Sequence, residues 1–90
     1  MRKVFQHGRI LITRDVLYVL SFDDIEKAFT RYKDCDWGDT DVQGKAMNDA
    51  AVEYGTDRIV ATYRNAKGIK FYIFTEADQS ETTIYLPGDI

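Results

Sequence analysis

An α+β domain is the fold class this chain predicts, and three observations predict it. Apolar residues recur at helical spacing between residues 22 and 54, they alternate along the last third, and a short β-branched run stands ahead of both. With 90 residues there is room for a single domain spanning 1–90, and at that size one layer of helix on one sheet is the natural limit. A composition that is 44% hydrophobic and 13% aromatic supplies the core that disordered chains lack.

The elements follow in order. Arg9-Ile10-Leu11-Ile12, preceded by Gly8, reads as a strand. Thr13 caps a short helix with Asp15 in its first turn and Val16, Leu17, Val19 and Leu20 as apolar contacts. Ser21 with Asp24 makes a capping box, and Phe22, Ile25, Phe29 and Tyr32 form the buried stripe of a helix running to about Lys33. Asp34 to Asp39 is a polar loop around Trp37. Thr40 with Gln43 predicts a second capping box, Val42, Ala46, Met47, Ala50, Ala51 and Tyr54 the inward face of the next helix, and Gly55 its left-handed end. Arg58–Tyr63 and Ile69–Thr75 read as strands joined by the turn Asn65-Ala66-Lys67-Gly68, and Thr82–Leu86 returns the chain before Pro87. The predicted order is β-α-α-α-β-β-β: a three- to four-stranded antiparallel sheet with helices on one face. That leaves Tyr72, Phe74 and Tyr85 on the other face, either covered by the N-terminal segment or forming a binding patch.

Charge is segregated. Arg2, Lys3, Arg9 and Arg14 lead the chain without an acid. Residues 34–57 carry seven acids against Lys45 alone, and 58–75 carry Arg58, Arg64, Lys67 and Lys70 with no acid. The pattern marks a binding face or internal neutralisation of one segment by its neighbours. Cys35 is the only cysteine, so no intrachain disulfide forms, and no long apolar run follows the basic start. A cytoplasmic protein without signal peptide or membrane span is expected.

Few side chains are arranged for chemistry. Counted from Asp34 as a calcium loop, the sixth place falls on Asp39 and the twelfth on Lys45, where a glycine and a bidentate glutamate are required. His7 and Cys35 are each alone of their kind, too few for a zinc site and unlinked in sequence as a nucleophile and base. Phosphate-binding glycine patterns are missing. Glu76 and Asp78 could form an acid/base pair, but a hydrogen-bonded turn explains them better. No metal, cofactor or catalytic residue is therefore assigned.

The strings Asp36-Trp37-Gly38-Asp39, Asn48, Arg58-Ile59, Tyr63, and Thr75-Glu76-Ala77-Asp78-x-Ser80-x-Thr82-Thr83-x-x-Leu86-Pro87 resemble a family of small plasmid-related proteins of bacterial mobile elements. The chain departs from that family's pattern at Tyr72, where Trp is common, and at Gln79, where Arg is. The resemblance implies a small accessory protein in a bacterial host and transfers no activity. A non-enzymatic protein-interaction module is the expected function, with a bacterial defence nuclease complex, CRISPR or restriction, as its target. Asp34, Asp36, Asp39 and Asp41 would mimic DNA charge, and Trp37 is either an anchor in the partner or a plug of the core. The alternative surface is Arg64, Lys67, Lys70, Tyr72 and Phe74, which would suit a regulatory or nucleic-acid-binding protein of plasmid maintenance, although a sequence pI near 5.0 argues against direct nucleic-acid contact. A small hydrolase using Glu76 and Asp78 is the third reading. Monomer and homodimer are both open.

Overall fold

The computed structural model describes residues 4–89, so Arg2 and Lys3 of the basic N-terminal group lie outside the described residues. The elements are β1 (Arg9–Ile12), α1 (Arg14–Val19), α2 (Phe22–Lys33), α3 (Val42–Tyr54), β2 (Ile59–Arg64), β3 (Lys70–Thr75) and β4 (Glu81–Tyr85), in the predicted order. They form one four-stranded sheet in the order β1-β4-β3-β2. The three C-terminal strands are antiparallel, but β1 pairs with β4 in parallel, so the sheet is mixed rather than purely antiparallel. The reason is connective. All three helices lie between β1 and the other strands, and a crossover of that length lets two strands run the same way. Alternating apolar residues show which face of a strand is buried and nothing of its direction.

One face of the sheet is the core floor, with Ile59, Ala61, Tyr63, Phe71, Ile73 and Ile84 buried against Val16, Leu20, Ile25, Ala28 and Tyr32 of the helical layer. Trp37 joins this cluster at 3% exposure, and its ring meets Tyr32 edge-on at 5.5 Å. The helices bury fewer residues than their spacing predicts. Leu17 and Val19 of α1 are exposed, since a helix this short presents only Val16 and its successor one turn on, Leu20, to the core. Phe22 is exposed too, because the buried stripe of α2 begins a turn later at Ile25. Gly8 lies at φ +61° with its α-carbon so close to the chain that an added Cβ would sit 2.1 Å from the Ser80 carbonyl oxygen. That contact lets the N-terminal segment cross the end of the sheet.

A chain of hydroxyls runs through the buried side of the sheet. Thr82 Oγ1 donates to the His7 carbonyl oxygen at 2.7 Å. Its single proton is thereby used, so Thr75 Oγ1 donates to Thr82 at 2.7 Å and Tyr32 Oη donates to Thr75 at 2.7 Å. Both threonines are fully buried. Two threonines of the Thr75–Thr83 string thus hold α2 and the N-terminal segment to adjacent strands. Burial is also what pushes the Tyr32 phenol above its ordinary pKa.

Candidate functional site

The aspartates of the acidic segment are largely used by the fold. α2 ends in a Schellman turn: the Cys35 N–H reaches the Tyr32 carbonyl at 3.0 Å and the Asp36 N–H the Arg31 carbonyl at 2.9 Å. Cys35 sits at φ 61°, in the left-handed place that glycine usually takes. Asp36 then receives both Nε and Nη2 of Arg31, at 2.8 and 3.1 Å. This paired geometry with Arg31 holds the Asp36 carboxyl below its ordinary pKa. Its backbone carbonyl accepts from the Tyr63 hydroxyl at 2.8 Å. Buried Trp37 donates from Nε1 to Asp49 at 2.8 Å, which makes it the core plug and removes it as a surface anchor. Asp39 pairs with Arg64 at 3.4 Å, and Asp41 caps α3 by accepting from the Gly44 N–H at 2.6 Å. Asp34 is the C-cap residue of α2.

The cap of α3 is therefore Asp41, not the predicted Thr40 with Gln43. Thr40 is turned toward β2 instead, where its hydroxyl accepts from the Thr62 N–H at 2.9 Å. The predicted inward face of α3 is corrected as well: Val42, Ala46, Met47, Ala50 and Tyr54 are exposed, Ala51 is buried as predicted, and the other buried residue is Asn48. This helix lies along the outer edge of β2, where the neighbour to be met is polar backbone. The Asn48 side chain donates to the Val60 carbonyl at 2.8 Å and accepts from the Val60 N–H at 3.2 Å, taking the place of a missing strand. Asp39 N–H adds a bond to the Thr62 carbonyl at 2.8 Å. Gly38, at φ +62°, passes so near that an added Cβ would lie 2.6 Å from that carbonyl oxygen and from the Tyr63 ring.

The second predicted surface is assembled by the sheet. Register and alternation put Val60, Phe74, Thr83 and Leu11 in one row across all four strands, and Thr62, Tyr72 and Tyr85 in the next, on the face opposite the helices. Arg64 and Lys70 pair at one end of this face, with Lys67 beyond them at the hairpin tip, and Arg9 and Arg58 share its parity at the other. Tyr72 and Tyr85 lie 5.2 Å apart at 41°, and the Lys70 ammonium stands 5.5 Å from the Tyr72 ring. The Tyr85 phenol is held above its ordinary pKa by partial burial and by Tyr72, against the pull of Arg58. Arg9 is drawn to Glu81 at 2.7 Å. A groove of about 190 Å³ continues the face past Val60 and Arg58 to Met47 and Gly44 of α3. Sequence spacing alone finds Tyr72, Phe74 and Tyr85. Leu11 enters the row only through the parallel register, and Met47 only through the edgewise position of α3.

The remaining candidates are local structure. Asp78 accepts from the Ser80 N–H at 3.0 Å and from the Ser80 hydroxyl at 2.6 Å, which forms the turn between β3 and β4 and keeps its carboxyl below the ordinary pKa. Glu76 is exposed, and neither it nor Asp78 lines any of three shallow concavities found beside α2, beside α3 and around His7. The His7 ring packs edge-on against Phe5 at 4.7 Å and Phe29 at 5.3 Å, with Nε2 buried and unpartnered. Among the described residues, no group of three or more His, Cys, Asp or Glu side chains is placed to hold a metal ion. No helix among them is long and apolar enough to cross a membrane. Compared with known proteins, the chain matches no family model, no curated sequence and no solved structure.

Proposed function

We propose that this chain is a non-enzymatic protein-interaction module whose working surface is the helix-free face of the sheet. One observation carries the reading. Two apolar and aromatic rows, Leu11-Thr83-Phe74-Val60 and Tyr85-Tyr72-Thr62, lie on a face that no described helix covers. The aspartates of the loop from Asp34 to Asp41 are occupied in caps and ion pairs with Arg31 and Arg64, and the aromatic of that loop, Trp37, is buried. A face with aromatic centre and cationic rim suits a protein patch that is apolar at its middle and acidic at its edge. The resemblance to plasmid-related proteins supplies the setting, an accessory protein of a mobile element acting on a host complex such as a defence nuclease.

A second reading, binding of single-stranded nucleic acid, rests on the Lys70–Tyr72–Tyr85 stack, since bases stack on such rings beside cations. The two separate by salt: a nucleic-acid ligand would weaken steeply and linearly in log salt, a mainly apolar protein contact only slightly.

The test is capture of partners from a bacterial lysate on immobilised chain, in three forms. The wild type and Asp39→Asn should retain the same partner, while Tyr72→Ser with Phe74→Ser should lower its affinity by roughly 30-fold or more, the scale of a central aromatic contact. Retention by the sheet variant with loss from Asp39→Asn would move the working surface back to the acidic segment.

A further inference from the structure

The two edges of the sheet are treated differently, and the open one points to a partner. β2 is closed by Asn48, Thr40 and Asp39. β1 is the terminal strand on the other side, with no described element beyond it. The N–H groups of Arg9 and Thr13 bond to Ser80 and Ile84, at 3.0 and 3.1 Å. In a parallel ladder the bonding residues alternate, so the N–H and C=O of Ile10 and Ile12 are directed outward. Ile10 and Leu11 are 41% and 36% exposed. Monomeric proteins guard such an edge with lysine, proline, a bulge or an inward charge. This strand reads Arg-Ile-Leu-Ile, and its one charge is folded back onto Glu81 of the same sheet at 2.7 Å.

We infer that β1 pairs antiparallel with β1 of a second copy of this chain, joining two sheets into one of eight strands. The strand is complementary to itself. With the two-fold axis through Leu11, Ile10 lies opposite Ile12 of the copy, and each of the two such pairs exchanges two hydrogen bonds between the outward N–H and C=O groups, four in all. Arg9 falls opposite Thr13, so no like charges meet. Leu11 faces its equivalent across the close, non-bonded position of the ladder. The axis stands perpendicular to the sheet, so both helix-free faces stay on one side. The row Val60-Phe74-Thr83-Leu11 then runs on through the copy. A shared surface patch of this kind is the isologous contact of a two-fold dimer, the commonest closed assembly.

Sedimentation velocity and amide hydrogen exchange on the full chain test this. The wild type should sediment at about twice 10.4 kDa, with the fraction rising with concentration, and the Ile10 and Ile12 amides should become protected in step with it. Leu11→Lys sets two like charges opposite each other at the axis. Ile10→Pro removes one outward N–H and spares those of Arg9 and Thr13, which hold β1 to β4. Each should return the mass to that of one chain with the far-ultraviolet circular dichroism unchanged. A wild type that stays monomeric at every concentration overturns the inference. So does a dimer whose Ile10 and Ile12 amides exchange freely, whatever the variants do.

Discussion

The outer edges of β2 and β1 solve one problem in opposite ways. Each presents a row of backbone donors and acceptors that a sheet cannot satisfy from within. On β2 the row is closed by side chains from a helix and its leading loop: the Asn48 amide bonds both groups of Val60, and Thr40 and Asp39 bond those of Thr62. On β1 it is left open and flanked by Ile10 and Leu11. The difference teaches where the acidic segment is spent. Its aspartates orient the loop that seals β2, through Asp36 with Arg31, Asp39 with Arg64, Asp41 at the helix cap and Asp49 on Trp37.

The sealed edge can be broken from beneath. Trp37→Ala should cost about 3–5 kcal/mol, the scale of emptying a buried aromatic site, because it removes the plug and frees the carboxylate of Asp49. Urea denaturation should show the midpoint fall with the slope unchanged. Asn48→Ala strikes the edge itself. Two backbone groups of Val60 would lose their partner, at a cost of about 2–3 kcal/mol, and amide exchange at Val60 and Thr62 should rise while that of β4 holds. An unchanged rate at Val60 would mean that water serves this edge as well as the amide does.

Acidification should act through the segment that leads into β1, and more weakly. Burial, then the charge of Lys33, holds the His7 pKa below its ordinary value. The folded state therefore favours the neutral ring. Its contribution to stability is complete above the ordinary value of about 6.5 and is lost as pH falls from there toward the lowered folded value. Asp36, whose pKa is held down by Arg31, loses its contribution only at lower pH, as the carboxylates begin to protonate. Hydrogen exchange between neutral and mildly acid pH should thus loosen residues 5–9, which lead into β1, before it reaches Val60 and Thr62. His7→Phe should abolish that step.

Legibility in the sequence followed the range of the interactions. Thr13 and Ser21 were readable as caps and Gly55 as a helix end, because each bonds its own neighbours within a turn. Tyr72 and Phe74 were readable as one face because strand parity is a local property. The cap of α3 lies one residue beyond the Thr40 that the spacing predicts, because Thr40 has two possible partners and the distant one, Thr62, takes its hydroxyl. The inward face of α3 departs from its apolar spacing for the same reason. Apolar spacing predicts burial against apolar surface, whereas this helix meets a strand edge and needs an amide there.

The order of elements, the buried parity of each strand and the chain's segregated charge were determined by the sequence, since they rest on contacts a few residues apart or on composition. Tertiary structure decided the parallel entry of β1, the burial of Trp37, the turning of the aspartates inward and the openness of one edge. Each of these depends on which distant backbone groups are left without partners once the sheet has closed, and that inventory exists only in the folded chain.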